Sequence, residues 1–146
     1  MKIYVASSWR NGEQPMVVRW LTGLGHEVYD FKHSVAIFKW DEIDPQWKTW
    51  TPRQCIDGLK HDIAHEAFHV DMDAMEWADV FVGVQPFGRS ASIEMGWAAG
   101  RGKPTVLFMR SGDPELMVNM FGYLVGDYPQ LRDAMEMIEI ESKDMT

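Results

Sequence analysis

Three short runs of β-branched and other apolar residues divide this chain, and their lack of alternation limits what it can fold into. They are KIYVAS (2–7), DVFVGVQ (79–85) and PTVLFM (104–109). A strand with one face in water alternates apolar and polar residues, whereas a strand covered on both faces is apolar throughout. The runs therefore predict buried strands of a largely parallel sheet, and HEVYDF (26–31) predicts a weaker fourth strand.

Helical patterns fill the intervals between these strands. Residues 14–24 carry apolar side chains at helical spacing. TPRQ (51–54) has a capping-box signature, with Thr at the N-cap, Pro at the first helical position and Gln three residues on. Further helices are predicted over 92–99, after an Asp113–Pro114 cap, and over 129–138. The apolar residues that follow the capping box at helical spacing are Ile56, Leu59, Ile63 and Phe68.

Strands that alternate with helices predict an α/β fold. The expected architecture is a single-domain Rossmann or flavodoxin-like three-layer sandwich with a mostly parallel sheet of about 4–5 strands. The chain has 146 residues and no linker, so one domain should span residues 1–146. Such sheets bind ligands at the carboxyl ends of their strands. Two loops should lie at that edge, SSWRNG (7–12) and PFGRSAS (86–92), and each carries one arginine.

Charge and composition exclude several classes of protein. The net charge is −8, which speaks against a nucleic-acid polymer as partner because phosphate backbones need a basic face. A small anionic ligand remains compatible, because a few arginines can dominate a local pocket. No stretch approaches the roughly 18 to 20 apolar residues of a membrane span, and the apolar run at the start is too short for a signal peptide. With Cys55 as the single cysteine, we expect a cytoplasmic protein without a disulfide.

The segment HEAFH (65–69) matches the H-E-x-x-H pattern of zinc peptidases. A zinc site also needs a third protein ligand and an open position for water. Glu76 is a poor candidate for the third ligand. His61 extends the two histidines into an i, i+4, i+8 row, as expected for solvated or partly buried residues on a helix whose opposite face is core. We therefore expect no metal, and keep a zinc metallopeptidase as the less favoured alternative.

Two carboxylates offer a different chemistry. GRSASIEMGWAAG (88–100) places Glu94 in the first turn of a predicted helix after a strand and a small-residue loop, where the helix dipole favours an ionised carboxylate. Asp71 precedes the same strand. A nucleophilic carboxylate with a second one for proton transfer is the equipment of glycoside chemistry. Each could also be structural, as a capping residue or a solvated acid.

Segments of this chain between Lys2 and about Phe108 also resemble those of a known protein family. KIYVASSWR resembles the first strand and loop of the nucleoside 2-deoxyribosyltransferase superfamily, which includes hydrolases of nucleoside 5′-monophosphates. In this segment Tyr4 and Trp9 match the transferases, whereas Ser8 and Arg10 match the hydrolases. DMDAMEWADVFVGV resembles the segment with a catalytic aspartate eight residues before the strand's Asp79, and GRSASIEMGWA resembles the loop before the family's E-x-G nucleophile.

The resemblance implies a role for each matching residue. Glu94 would be the nucleophile, Asp71 the second catalytic residue with Asp73 as its rival, and Gly96 a helix-packing glycine. The substrate would be a nucleoside or nucleoside 5′-monophosphate, with no cofactor, in a homodimer or larger homo-oligomer. Residues 32–60 are longer than the family pattern and include the Trp-rich segment 38–52. The tryptophans of this segment could form a lid, a base-stacking wall, or a cover for the core or an interface. The expected substrate-binding residues are Ser8, Trp9, Arg10, Gly88, Arg89, Ser90 and Ser92.

A non-catalytic nucleotide-binding module remains an alternative from another class. It would bind the same ligands at the same loops without turnover.

Overall fold

A computed structural model describes residues 1–35, 37–111 and 114–145. Its described strands are β1 (Lys2–Ala6), β2 (Glu27–Tyr29), β3 (Val80–Val84), β4 (Thr105–Phe108) and β5 (Tyr123–Val125). Its described α-helices are α1 (Gln14–Gly23), α2 (Pro52–Leu59), α3 (Asp62–Trp77), α4 (Arg89–Gly100) and α5 (Tyr128–Asp144). The predicted Asp113–Pro114 cap includes Asp113, which lies outside the described residues.

The strands form one parallel sheet in the order β2-β1-β3-β4-β5. This is the flavodoxin-like order, in which the chain order reverses between β1 and β3. The predicted Rossmann or flavodoxin-like α/β fold with a parallel sheet of about 4–5 strands is therefore confirmed.

The chain divides into two compact units. The sheet unit comprises the described residues of Met1–Asp30 and Trp77–Thr146, and the helical unit comprises those of Phe31–Glu76. Whether the whole chain behaves as one domain stays a prediction.

Both faces of the sheet are covered within the sheet unit. On one face, buried side chains of β1, β3 and β4 such as Val5 and Val82 pack with residues of α1 and α5. The opposite face meets α4. A Cβ added to Gly83 of β3 would come within 3.1 Å of Met95 of α4, so glycine allows this close packing. The three layers explain why the strands are apolar throughout.

Aromatic side chains form a row across the face of the sheet that carries α4. Tyr4 of β1 stacks against Tyr29 of β2 at 5.2 Å between ring centroids and against Phe81 of β3 at 4.8 Å. Strand register places the three residues side by side. Tyr4, which matches the transferases in sequence, is 1% exposed and therefore belongs to the interior.

The helical unit has an aromatic cluster of its own, built from the Trp-rich segment. Trp40 meets Trp50 edge to face at 5.9 Å, and Phe38 meets Trp40 in the same way at 4.7 Å. The Trp50 indole N–H donates to Asp44 at 2.7 Å, and its ring lies against Gly58 of α2. Within this unit Trp40 and Trp50 thus pack on each other, and both are half-buried.

The predicted helix after residue 51 is two helices, α2 and α3. Thr51 forms the full capping box with Gln54, as predicted. The helix then ends at Leu59, and α3 starts at Asp62. Ile56, Leu59 and Phe68 are 44%, 57% and 57% exposed, so they are not part of a buried stripe.

Among the described residues, no helix is long and apolar enough to cross a membrane.

Candidate active site

The loop after β1 is tied to the end of β3 by two polar side chains. Asn11 is 5% exposed, and its Nδ2 donates to the carbonyl oxygens of Val84 and Pro86, both at 3.0 Å. The Ser7 hydroxyl donates to the same Val84 oxygen at 2.8 Å. These bonds bring the loops after β1 and β3 together at the carboxyl edge of the sheet, where the chain order reverses.

The loop after β1 turns tightly on Ser8. The Ser8 carbonyl accepts from the Asn11 N–H at 3.0 Å, and its hydroxyl oxygen accepts from the Arg10 N–H at 3.2 Å. The turn leaves Trp9 51% exposed and Arg10 exposed, while Ser8 is half-buried. Of the predicted binding residues in this loop, Trp9 and Arg10 therefore face outward at the edge of the sheet.

The loop after β3 leads directly into α4. Gly88 is the N-cap residue of that helix, and Arg89 and Ser90 are exposed in its first turn. Ser92 uses its hydroxyl to donate to the Gly88 carbonyl at 3.0 Å. This edge of the sheet thus collects Ser8, Trp9 and Arg10 from the loop after β1, Gly88 from the end of the loop after β3, and Arg89, Ser90 and Ser92 from the start of α4.

Glu94 lies in the second turn of α4, because that helix begins at Arg89. The predicted start at residue 92, and with it the first-turn position of Glu94, was wrong. Gly88 caps the helix without a side-chain hydrogen bond, so the usual capping signature is missing at the true start. The helix dipole acts mainly within the first turn and does less for Glu94 than predicted. Glu94 is half-buried and shares its side of α4 with Ala91 and Ala98, which are buried.

Gly96 does not act as a helix-packing glycine. A Cβ added at this position would meet no atom within 4 Å in the part of the chain that the structure describes. The resemblance-based expectation for Gly96 is therefore wrong with respect to intramolecular packing.

Asp71 and its rival Asp73 lie on α3 in the helical unit. Asp71 is half-buried, whereas Asp73 is exposed. The catalytic role of Asp71 stays a prediction.

His65 and His69 lie on α3, as expected for HEAFH, whereas His61 precedes the first residue of that helix. His65 and His69 are exposed, and their rings meet edge to face with centroids 5.6 Å apart. His61 accepts the Ile63 N–H through Nδ1 at 3.2 Å. Across residues 1–35, 37–111 and 114–145, no group of three or more His, Cys, Asp or Glu side chains is placed to hold a metal ion.

Sequence reasoning missed the residues that hold the two loops in place. Asn11 stands inside the SSWRNG loop, but its partners are more than 70 positions away and leave no local pattern. Glu13 accepts a hydrogen bond from the Tyr128 hydroxyl at 2.9 Å, and Arg110 pairs with the same Glu13 oxygen at 3.2 Å. Arg110 could have been noticed in the sequence, because it is an arginine that directly follows the predicted buried strand 104–109.

Solved structures of two enzymes are similar to this chain over most of its length. The 2-deoxyribosyltransferase of Bacillus psychrosaccharolyticus gives a TM-score of 0.60 at 21% identity, covering 90% of both chains. The chain has a nucleoside 2-deoxyribosyltransferase-like fold. The CMP N-glycosidase BcmB of Clostridium botulinum gives a TM-score of 0.50 at 16% identity, covering 94% of this chain and 98% of its own.

No protein-family model and no curated protein matches the sequence. The two solved structures confirm the predicted resemblance at the level of the fold alone.

Proposed function

We propose that this chain cleaves the N-glycosidic bond of a nucleoside or nucleoside 5′-monophosphate and passes the sugar to water or to another base. The placement of Glu94 carries the proposal. It is a half-buried carboxylate on α4, the helix that starts at the carboxyl end of β3, and α4 is joined through its loop to the loop after β1. Both similar structures belong to enzymes that act on bonds of this class.

The reaction would proceed in two displacements. Glu94 attacks C1′, a C1′–O bond forms as the C1′–N bond breaks, and the bonding electron pair leaves with the base. Asp71 in its protonated form gives its proton to the departing base and becomes a carboxylate. Water or a second base then attacks C1′ and gives up a proton to Asp71, and Glu94 is released. No cofactor or metal takes part in these steps.

The loops at the carboxyl edge would bind the rest of the substrate. Arg10, on the loop after β1, and Arg89, at the start of α4, are exposed cations of a protein with a net charge of −8. Guanidinium groups bind phosphate through paired charge-assisted hydrogen bonds. We therefore favour a nucleoside 5′-monophosphate and hydrolysis. Trp9, with half of its surface exposed, would pack against the sugar or the base.

The chain would act as a homodimer or larger homo-oligomer in the cytoplasm, on a small molecule rather than a nucleic-acid polymer or a membrane. Its acidic net charge supports the exclusion of nucleic acid.

Chromatographic detection of free base would test the proposal. The protein is incubated with ribo- and deoxyribonucleosides and their 5′-monophosphates, beside Glu94→Gln, which keeps the size of the side chain. We expect base release by the wild type and a loss of at least about 10³-fold in the variant, because the nucleophile is gone. Asp71→Asn should lose activity as well, whereas Asp73→Asn, two residues away on the same helix, is the matched control.

A second base added to the mixture separates transfer from hydrolysis. A nucleoside analogue with fluorine at C2′, which slows the second displacement, should leave a sugar-sized mass on the wild type and none on Glu94→Gln. Binding of a monophosphate without release of base from any panel member would instead identify a nucleotide-binding module. Stoichiometric zinc, together with a peptidase activity that is lost in His65→Ala, would identify a zinc metallopeptidase.

A further inference from the structure

One carboxylate oxygen joins three elements of the sheet unit. Glu13 Oε1 accepts from the Tyr128 hydroxyl at 2.9 Å and pairs with Arg110 Nε at 3.2 Å. Glu13 is the N-cap residue of α1 at the end of the loop after β1, Arg110 follows β4, and Tyr128 is the first residue of α5. The arrangement joins the end of the loop after β1 to the end of β4 and the start of α5.

The partners of Glu13 are themselves held in place. The Arg110 guanidinium lies 5.2 Å from the Phe108 ring centroid and 5.7 Å from that of Tyr128, and its Nη1 donates to the Gly126 carbonyl at 3.2 Å. The Tyr128 ring also packs against Phe108 at 5.1 Å. Charged groups already held by stacking and second hydrogen bonds lose little further entropy when they pair, which favours the contact with Glu13.

Helix capping does not explain the Glu13 carboxylate. Glu13 is the N-cap residue of α1, yet its side chain makes no capping hydrogen bond to that helix. Its backbone N–H donates to Asn11 Oδ1 at 2.8 Å, and Asn11 in turn binds the loop after β3. Glu13 therefore continues a chain of hydrogen bonds that starts at the β3 loop, crosses the β1 loop and ends at β4 and α5.

We propose that Glu13, held by Arg110 and Tyr128, is a positioning residue that sets the conformation of the Ser8–Asn11 loop for substrate. It contacts no reacting atom and acts through Asn11. The inference rests on the proposed function in treating this loop as substrate-binding. Loss of the contact lets the loop sample other conformations, and small misplacements of binding groups are costly to a reaction.

Hydrogen–deuterium exchange of the loop amides tests the positioning without any need for activity. The N–H groups of Arg10, Asn11 and Glu13 are hydrogen-bonded, so their exchange reports on the loop. We expect Glu13→Ala and Tyr128→Phe to speed exchange over residues 9–13 by about tenfold or more, and Glu13→Gln, which keeps an acceptor oxygen, to speed it less.

Tyr123→Phe is the matched control, because it removes a comparable tyrosine–carboxylate bond to Glu141 at 3.1 Å that does not involve the loop. Exchange over residues 9–13 should stay at the wild-type rate in this variant. Unchanged exchange in folded Glu13→Ala, or equal acceleration by Tyr123→Phe, would overturn the proposal. If Glu13→Ala does not fold, Glu13→Gln and Tyr128→Phe decide the question.

Steady-state kinetics, measured with the substrate that the base-release assay identifies, provide the second test. A positioning role predicts that KM rises several-fold in Tyr128→Phe while kcat changes little, since the reacting groups are intact. A fall in kcat at constant KM would contradict it. If no substrate is turned over but exchange changes as expected, the proposed function fails while the positioning of the loop stands.

Discussion

The side-chain amide of Asn11 donates to the carbonyl oxygen of Val84 at 3.0 Å, across the point where β1 and β3 end. The same nitrogen reaches Pro86 O, and the side-chain oxygen accepts the Glu13 N–H. One buried side chain thus uses both donors and its acceptor to hold two loops. The spacing between the two proposed substrate-binding loops depends on this residue.

Replacement of Asn11 by alanine should cost stability and activity together. Two carbonyl oxygens and one N–H would lose a buried partner, which costs about 1–3 kcal/mol of unfolding free energy. Urea unfolding would measure this loss, and kcat/KM for base release should fall by about tenfold or more because the loops separate. Asn119→Ala is the control, because exposed Asn119 donates to Leu116 O, three residues away, at 2.9 Å. Equal unfolding free energies for Asn11→Ala and wild type would contradict the role given to Asn11.

Arg10 should distinguish a phosphorylated substrate from an unphosphorylated one. If Arg10 binds a 5′-phosphate, Arg10→Gln loses a charge-assisted contact of about 1.5–3 kcal/mol, or roughly 10- to 150-fold in kcat/KM. The loss should appear with the nucleoside 5′-monophosphate and be absent with the nucleoside. Arg53→Gln changes an exposed arginine on α2 that pairs with Asp57, and it should affect neither substrate. Equal effects of Arg10→Gln on both substrates would place the phosphate elsewhere.

The sheet was predictable because strands that are buried on both faces have continuous apolar sequences. The positions of β1, β3 and β4 follow from those runs alone. Strand β5 was not located, because it has three residues with only Val125 buried and lies at the edge of the sheet. A short edge strand depends on its neighbour for stability and carries little pattern of its own.

The predicted helix boundaries were wrong where the local sequence signals were weak or misleading. The start of α4 has a glycine N-cap, so a rule that looks for a capping hydroxyl points to Ser92 instead. The break after α2 occurs at Lys60, which is neither glycine nor proline, while the apolar spacing continues across it. The contacts of Asn11 and Glu13 join residues 73 to 115 positions apart, and only the tertiary structure reveals them.

The hydroxyl of Tyr128 should make stability depend on pH in the alkaline range. Burial, and then the hydrogen bond to Glu13, raise the pKa of Tyr128 from 10.0 to about 12. The folded state therefore holds this proton more tightly than the unfolded state. Its stabilising contribution is complete below about pH 10 and is lost as the pH rises toward about 12.

Urea unfolding at about pH 9 and about pH 11.5 would measure this effect. Between these values the wild type should lose about 1 kcal/mol more unfolding free energy than Tyr128→Phe, after allowance for solvent screening. Tyrosinate absorbance should also show one fewer high-pKa group in the variant. An identical pH dependence of the two proteins would show that the Tyr128–Glu13 bond does not form in solution.

Two helix glycines should respond in opposite ways to alanine. In Gly58→Ala the new Cβ would overlap the Trp50 ring, so overpacking of about 1–3 kcal/mol outweighs the gain in helix propensity of up to about 1 kcal/mol. In Gly96→Ala the Cβ enters open space, so only the gain remains and the unfolding free energy should rise. Thermal unfolding would give a lower Tm for the first variant and a higher Tm for the second. Activity separates a further role of Gly96: a more stable Gly96→Ala that has lost turnover would mean that substrate or a second subunit approaches α4 at this position.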